Sequence, residues 1–232
     1  MKFSIVIPTY KEKKNLPKLI ISLTKALKNQ KINYEIIFID DESNDGSYEV
    51  YNKNKTSKTR FIIRKEKPRD LSKSVVYGFK KSKYDNLIVM DGDLQHHPLD
   101  LKSMIRQFKK NDCDILIGSR NMINYKKVNL SPLRFYVSKL LNLITNFLFG
   151  LSLKDPMSGF FIIRKNILKF SEKKLLLIGY KILLDIVICS PKTVRIKEFL
   201  INFKSRDKGF SKMRLRIIFQ LILFLTYRFF FR

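Results

Sequence analysis

The stretch Asn86-Leu87-Ile88-Val89-Met90-Asp91-Gly92-Asp93-Leu94-Gln95 joins a short apolar run to two closely spaced carboxylates. Such a run is typical of a buried parallel strand, and open α/β sheets bind ligands at the carboxyl ends of their strands. Residues two apart in an extended chain point to the same side, so Asp91 and Asp93 can face one ion. Mg²⁺ and Mn²⁺ prefer such oxygen ligands together with substrate phosphates. The stretch therefore predicts a metal–diphosphate site, although a strand ending in a polar turn is the simpler interpretation of an isolated Asp-x-Asp.

Apolar segments with strand and helix character alternate along the first half of the chain. Short apolar runs predict buried strands at residues 3–7, 35–39, 61–63, 86–90 and 114–117. Between the first two, apolar residues recur at helical spacing at Leu16, Leu19, Ile20, Leu23 and Leu27. Further helices are predicted over residues 72–81 and from Pro98 onward. This alternation predicts an α/β fold, a mostly parallel sheet flanked by helices.

The second half of the chain is less regular. A helix predicted over residues 133–148 places Arg134 and Ser138 one turn apart, on one face. The next elements are predicted as a strand, a helix and a strand, at residues 160–163, 178–188 and 194–203. That helix would contain Gly179 near its start and Asp185 in its interior.

The C-terminal segment differs in kind from the rest. Residues 217–227 are apolar except for Gln220 and Thr226, and arginines flank them at positions 214, 216, 228 and 232. The apolar stretch is shorter than the roughly 20 residues that a spanning helix needs. We therefore expect an apolar membrane-associated helix in the lipid interface, its arginines toward lipid phosphates. A tilted span and a core helix are the alternatives. The predicted boundary separates a domain at 1–212 from a tail at 213–232.

The charge of the chain implies an anionic partner or surface. The 232 residues carry a net charge of +27, and 45% of them are hydrophobic, enough for a packed core. Nucleic acid is one candidate partner, but the sequence has no zinc-finger spacing or RNA-binding signature. An anionic membrane surface and phosphate-bearing substrates are equally good partners. Cys113 and Cys189 lie in no metal or redox spacing, which suggests core thiols in a reduced, cytosolic setting.

Polar loops follow the first two predicted strands. The first is Pro8-Thr9-Tyr10-Lys11-Glu12, and the second is Asp40-Asp41-Glu42-Ser43-Asn44-Asp45-Gly46-Ser47. An acidic loop is poorly suited to a diphosphate, but its carboxylates can accept hydrogen bonds from a ribose or a base edge. A solvated turn is the alternative interpretation.

Seven motifs in order resemble family 2 glycosyltransferases with the GT-A (Rossmann-like) fold. Four lie in the first half: Ile7-Pro8-Thr9-Tyr10-x-Glu12, Asp40-Asp41-x-Ser43-x-Asp45-Gly46, residues 90–98 and Gly118-Ser119-Arg120. The other three resemble the polyprenyl-phosphate branch that includes dolichyl-phosphate mannose synthase: residues 155–161, Gly179-Tyr180-Lys181 and Arg206-x-x-Gly209-x-Ser211-Lys212. The resemblance covers roughly residues 3–213. It implies an inverting, metal-dependent transferase that moves a sugar from a nucleotide to a polyprenyl phosphate.

The resemblance also implies a role for each matching residue. The nucleotide would contact Pro8, Tyr10, Glu12, Ile39, Asp41, Lys67, Asp91 and Gly92. A Mg²⁺ or Mn²⁺ ion would be held by Asp91, Asp93 and Gln95. The acceptor phosphate would be gathered by Arg120, Arg134, Ser138, Arg206 and Lys212. Asp91, Asp93, Arg120 and Arg206 are the predicted catalytic residues.

The chain departs from the family pattern in three respects. Asp70 stands where the family usually has Gly, which changes the expected contact of that loop with the diphosphate. Gly92 stands where Ala is common. Many relatives carry further transmembrane helices after the catalytic domain, so we expect this chain to meet its lipid substrate through its tail or an integral-membrane partner. Its expected location is the cytoplasmic face of the membrane, peripheral or anchored by the C-terminal segment.

Donor and function alternatives remain open at the level of sequence. GDP-mannose with a dolichyl-type acceptor is the predicted substrate pair. The alternative is UDP-glucose or a UDP-aminosugar with undecaprenyl phosphate, in cell-envelope glycan synthesis. A basic nucleic-acid-binding module is the non-enzyme alternative, and it would leave the metal motif and the apolar tail unexplained. His96 and His97 are expected to shape the start of the helix at Pro98 rather than to act as bases or ligands.

Overall fold

One seven-stranded sheet runs through the described residues, 1–120, 132–203 and 215–230 of a computed structural model. Its strands are β1 (Lys2–Thr9), β2 (Asn33–Asp40), β3 (Thr59–Ile63), β4 (Asn86–Val89), β5 (Ile115–Arg120), β6 (Phe161–Arg164) and β7 (Ile196–Ile201). Their order in the sheet is β3-β2-β1-β4-β6-β5-β7. Only β6 runs antiparallel to its neighbours. The predicted mostly parallel α/β sheet flanked by helices is confirmed.

Helices cover both faces of this sheet. They are α1 (Leu16–Leu27), α2 (Ser47–Asn54), α3 (Leu71–Lys81), α4 (Pro98–Lys110), α5 (Pro132–Phe149), α6 (Lys165–Ser171), α7 (Ile182–Cys189) and α8 (Leu215–Phe230). Apolar side chains of α1, α2 and α4 pack on one face of the sheet, and those of α3, α6 and α7 pack on the other. The five apolar residues predicted for the buried face of α1 are all buried. Burial of these two faces therefore holds the strands in place.

The strand register brings the carboxyl ends of β1, β2 and β4 to one edge. Thr9 at the end of β1 pairs with Asp40 at the end of β2, and Val6 pairs with Val89 at the end of β4. The loops that follow these three strands carry the predicted nucleotide and metal residues. The sheet thus places them beside one another, as the parallel topology requires.

The start of α7 differs from the prediction. The helix begins at Ile182, whereas the apolar pattern predicted a helix from residue 178. Gly179 has a positive φ of 74°, a conformation that ends or precedes regular helix and that glycine adopts without steric cost. Residues 178–181 therefore form a turn before the helix, and this turn enters the site described below.

One face of the C-terminal helix α8 is packed against the domain. Leu221, Phe224 and Leu225 are buried in a third apolar cluster with residues of α5 and α7. The expectation that Arg228 faces lipid phosphates is wrong, because its guanidinium is buried in an ion pair with Asp185 of α7. None of the helices within the described ranges is long and apolar enough to cross a bilayer. The domain boundary at residue 212 stays a prediction.

Candidate active site

The loop after β4 carries the two predicted metal-binding carboxylates. Asp93 is almost fully buried and accepts a hydrogen bond from the Gln95 N–H at 3.2 Å. His96, also buried, accepts from the Asp91 N–H through Nδ1 at 3.2 Å, and His97 caps α4 by accepting from the Leu99 N–H at 3.1 Å. His97 therefore shapes the helix start, as predicted, whereas His96 orders the loop before it. No three His, Cys, Asp or Glu side chains form a metal cluster within the described parts of the chain. The oxygens of Asp91, Asp93 and Gln95 fit an Mg²⁺ or Mn²⁺ ion that takes its remaining ligands from phosphate and water.

Gly159 allows the turn before β6 to approach the Asp91 carboxylate. A β-carbon at Gly159 would lie 2.8 Å from Asp91 Oδ2 and 3.1 Å from Oδ1. Real β-carbons do not approach oxygens so closely, so any side chain here would displace the carboxylate. The sequence motif at 155–161 drew attention to this turn, but not to its contact with Asp91.

Arg120, at the end of β5, is held by the buried carboxylate of Asp155, which lies on the turn before β6. Its Nε and one terminal nitrogen donate to the two oxygens of Asp155, at 2.7 and 2.9 Å, and its backbone N–H donates at 3.2 Å. Burial alone would lower the pKa of Arg120, but the charge of Asp155 outweighs it and raises that pKa. In turn, burial would raise the pKa of Asp155, but Arg120 holds it below its ordinary value. Both groups are therefore charged, and Arg120 is fixed in one orientation.

Lys181 is a second cation at this edge, and it is not among the predicted site residues. It is the residue before α7, is half-buried, and interacts electrostatically with Arg120, Asp155 and Asp91. The pKa of Lys181 is lowered to about 8, mainly by burial and also by the charge of Arg120, while Asp155 and Asp91 oppose this shift. The motif Gly179-Tyr180-Lys181 was the available signal, but spacing alone could not place its lysine beside Asp91.

Three of the predicted nucleotide residues lie at the end of β1. Pro8 pairs with Ile39 in the sheet register, and the Tyr10 hydroxyl accepts from Arg69 at 3.2 Å. The Arg69 guanidinium also lies 5.2 Å from the centre of the Tyr10 ring, in cation–π geometry. Glu12 accepts from the Asn15 side-chain amide at 2.6 Å. These contacts order the loop beside the strand that leads to Asp41.

The acidic loop after β2 is ordered by its own hydrogen bonds. Asp40 accepts from the Ser43 N–H at 2.8 Å, and burial raises its pKa despite these bonds. Asp41 accepts from Arg64 at 2.5 Å and from the Asp70 N–H at 2.8 Å. Its carboxylate therefore has two protein partners, and a ribose would have to share its remaining lone pairs. The Ile39 side chain is fully buried in the core on the α3 side of the sheet, and its carbonyl accepts from the Thr9 hydroxyl at 3.4 Å. A nucleotide contact at Ile39 stays a prediction.

Lys67 and Gly92, which are predicted to contact the nucleotide, lie in different surroundings. The Lys67 ammonium is exposed and forms an ion pair with Glu42 of the acidic loop. Gly92 is buried against β1: a β-carbon there would lie 3.2 Å from the Thr9 methyl group and 3.5 Å from the Pro8 carbonyl oxygen. An alanine at this position would need a shift of a few tenths of an ångström. The role of Lys67 toward a nucleotide stays a prediction.

The predicted acceptor residues are only partly within the described structure. Ser138 is half-buried on α5, and Arg120 is placed as above. Arg206 and Lys212 lie outside the described residues, as does the side chain of Arg134. The gathering of these residues around one phosphate therefore stays a prediction.

Residues 4–170 match the family described as glycosyl transferase family 2. The chain belongs to that family. A relative from Pyrococcus furiosus, dolichol-phosphate mannosyltransferase, is 37% identical over 222 residues, which cover 95% of this chain and 61% of that protein. The chain thus spans less than two thirds of that relative's length. The dolichol-phosphate mannosyltransferase of Mycosarcoma maydis is 32% identical over 225 residues, 94% of this chain and 75% of that protein.

Solved structures of glucosyl-3-phosphoglycerate synthase from Mycobacterium tuberculosis share the fold of this family 2 chain. One of them, in complex with Mn²⁺, UDP-glucose and phosphoglyceric acid, superposes with a TM-score of 0.76 at 14% identity. The match covers 100% of this chain and 80% of that one. At this identity the likeness establishes the architecture, and the family assignment itself rests on sequence.

Proposed function

We propose that this chain is an inverting hexosyltransferase that moves a sugar, with mannose from GDP-mannose as the first candidate, to a polyprenyl phosphate. The observation that carries the proposal is the placement of Arg120 and Lys181 within electrostatic range of Asp91, at the carboxyl edge of the sheet. Two cations beside a pair of metal-binding carboxylates suit a reaction between two phosphate-bearing substrates. The names of the two relatives support a polyprenyl phosphate acceptor and mannose.

The chemistry asks the protein for positioning and charge rather than for a strong base. An acceptor phosphate is already an anion near neutral pH, so its oxygen needs little proton abstraction. That oxygen attacks the anomeric carbon, the bond from this carbon to the diphosphate oxygen breaks, and the nucleoside diphosphate leaves with the electron pair. Arg120, held by Asp155, binds phosphate oxygens in a fixed orientation, and Lys181 offsets charge that develops on the leaving group. A divalent ion held by Asp91, Asp93 and Gln95 would supply additional charge compensation at the diphosphate.

GDP-mannose and UDP-sugars are both candidate donors. The structural neighbour binds UDP-glucose with Mn²⁺, which supports a divalent metal and keeps UDP-sugars as alternative donors. Hydroxyl recognition depends on a sugar pocket whose specificity the motifs do not encode. Binding of nucleic acid explains neither the family assignment nor the metal motif.

Transfer of label from three donors tests the proposal directly. The protein in detergent is incubated with a polyprenyl phosphate, Mg²⁺ or Mn²⁺, and radiolabelled GDP-mannose, UDP-glucose or UDP-N-acetylglucosamine. We expect label to enter the lipid phase from one donor, and EDTA to abolish the transfer. No transfer from any donor by folded protein would contradict the proposal.

Comparison of sugar transfer by Asp93→Ala and by a matched surface variant tests whether the reaction takes place at the loop after β4. We expect Asp93→Ala to abolish transfer while the protein stays folded. The control is Asp112→Ala, because Asp112 is 75% exposed and precedes β5, at the opposite edge of the sheet. It should transfer at the wild-type rate. Normal turnover by Asp93→Ala would show that this carboxylate does not hold the metal.

We place the protein on an anionic membrane surface through the exposed faces of α5 and α8. On α5, Tyr136, Leu140, Leu143 and Phe147 form a stripe at helical spacing, and Phe147 is 87% exposed. On α8, which packs beside α5, Ile222, Leu223, Tyr227 and Phe230 are exposed. Exposed apolar side chains on a chain of net charge +27 suit a lipid interface. The same proposal includes the cytoplasmic face of the membrane as the location and an integral-membrane protein as a partner.

Flotation with vesicles tests this membrane surface. We expect the wild-type protein to float with vesicles of anionic lipid, and Phe147→Glu to float less. Ile21→Glu is the control, because Ile21 is an exposed apolar residue on α1, away from both helices. Equal loss in the two variants would mean that general charge, rather than the α5–α8 surface, governs the binding.

A further inference from the structure

The loop that carries Lys181 is clamped by the first turn of α3. We call residues 175–181, between the short 3₁₀ helix Glu172–Lys174 and α7, the Lys181 loop. The Gly179 N–H donates to Asp70 Oδ2 at 2.6 Å, and the Gly179 carbonyl accepts from the Ser72 hydroxyl at 2.8 Å and from the Ser72 N–H at 3.1 Å. The peptide groups on both sides of Gly179 are thus fixed, two residues before Lys181.

Asp70 also connects this clamp to the nucleotide side of the site. Its backbone N–H donates to Asp41 Oδ2 at 2.8 Å, and Asp41 accepts from the buried Arg64. Arg64 in turn donates to Ser74 of α3 at 3.2 Å. One residue therefore joins the acidic loop after β2, through its backbone, to the Lys181 loop, through its side chain.

The cap of α3 uses only one of the two carboxylate oxygens of Asp70. Oδ1 caps α3 by accepting from the N–H groups of Ser72 at 2.8 Å and Lys73 at 3.3 Å. Serine caps helices about as well as aspartate, with a single oxygen. A carboxylate is costly at this half-buried position, where burial raises its pKa. The residue that departs from the family's usual glycine therefore supplies a contact to Gly179 that a simple cap would lack.

We propose that Asp70, assisted by Ser72, is a positioning residue that holds Lys181 at the donor diphosphate and ties its loop to Asp41. The inference rests on the proposed glycosyl transfer for its catalytic meaning, while the clamp itself is independent of it. Asp70 acts through the peptide groups of Gly179, and Lys181 is the group that meets the substrate. Loss of the clamp should therefore lower turnover without changing the affinity for the acceptor.

Three substitutions separate the clamp from the cap. Asp70→Ser keeps a capping oxygen but cannot also reach Gly179, and Asp70→Ala removes both functions. Ser72→Ala removes the hydroxyl contact to the Gly179 carbonyl and keeps the backbone contact. Hydrogen exchange of the peptide that contains Gly179 is measured for each. We expect exchange at Gly179 to rise about tenfold or more in Asp70→Ser, with exchange in α3 unchanged. Wild-type protection at Gly179 in this variant would overturn the proposal, whether or not the protein transfers sugar.

A double-mutant cycle with Lys181→Ala tests the catalytic role. In the wild-type background, we expect Asp70→Ser to lower kcat about tenfold or more, with an unchanged KM for the polyprenyl phosphate. In the Lys181→Ala background, the same change should have no further effect, because the group that it positions is gone. Equal losses in the two backgrounds would overturn the proposal. An inactive wild-type protein would instead refute the proposed function. Hydrogen exchange at Gly179 does not depend on activity, so it would still test the clamp in that case.

Discussion

The buried imidazole of His96 makes a specific prediction about stability and pH. Its ring packs 4.9 Å from Phe160 and 5.5 Å from Phe203, measured between ring centres, and Nδ1 accepts from the Asp91 N–H. The pKa of His96 is lowered from 6.5 to about 4, mainly by burial and also by the charge of Arg120, while Asp93 and Asp155 oppose this shift. The imidazole is therefore neutral in the folded protein near pH 7, and its unprotonated Nδ1 orders the metal loop.

The sign and size of the effect follow from this pKa. Between pH 6.5 and about 4 the unfolded chain binds more protons at this residue than the folded one, so acid favours unfolding. The contribution of His96 is full above pH 6.5 and is lost as the pH falls toward 4. The complete difference corresponds to about 3 kcal/mol, and roughly 2 kcal/mol of it is lost between pH 7.5 and 5.

His96→Asn isolates this contribution, because the Asn oxygen can accept from the Asp91 N–H but does not titrate. Urea unfolding is measured at pH 7.5 and pH 5 for both proteins, and the stability change of the wild type should exceed that of the variant by about 2 kcal/mol. His97→Asn, which keeps an accepting cap on α4, controls for the substitution itself. Parallel pH dependence in wild type and His96→Asn would refute the assignment of a buried, neutral imidazole.

Two further substitutions test contacts that are specific to this chain. Gly159→Ala should displace the Asp91 carboxylate and weaken metal-dependent transfer by about 10- to 100-fold. Titration of activity with Mn²⁺ checks this, and an unchanged melting temperature shows that the variant is folded. A wild-type Mn²⁺ requirement would argue against the contact between Gly159 and Asp91. Arg228→Ala leaves Asp185 buried without its cation and should cost about 3–5 kcal/mol in urea unfolding. Removing both charges, with Arg228→Met and Asp185→Asn, should recover most of that loss, because the Asn oxygen still accepts from the Leu176 N–H. An equally unstable double variant would mean that packing rather than charge is at stake.

The strands and the family were predictable because their signals are local. The apolar run before Asp91 is short, uniform and followed by two carboxylates, and it forms β4 with the loop at its carboxyl end. The stripe of apolar residues on α1 likewise has one buried face. Such patterns depend only on the spacing of side chains within one strand or helix, so they can be recognised without knowing the rest of the fold.

The partners of buried charges were not predictable, because they lie far apart in sequence. Arg120 and Asp155 are 35 residues apart and Asp185 and Arg228 are 43 apart, yet each pair meets in the interior. The error at the start of α7 has the same origin. The apolar residues before Ile182 extend a helical pattern, while the hydrogen bonds of Gly179 to α3 hold a turn there instead. Tertiary contacts overrode local propensity at both places.

The balance of charge at this edge suggests why the site pairs its cations with carboxylates. Among the described residues, Asp91 and Asp155 interact electrostatically with Arg120 and Lys181, and Asp93 lies on the loop of Asp91. These five groups together carry one net negative charge. A diphosphate approaching them alone would meet net repulsion, which a divalent ion on Asp91 and Asp93 would reverse. Asp155 fixes Arg120 without leaving an uncompensated charge in the core, because a buried ion needs a partner before substrate arrives. The carboxylates that offset the charge of Arg120 and Lys181 in the folded protein would therefore make binding of the proposed donor depend on the metal.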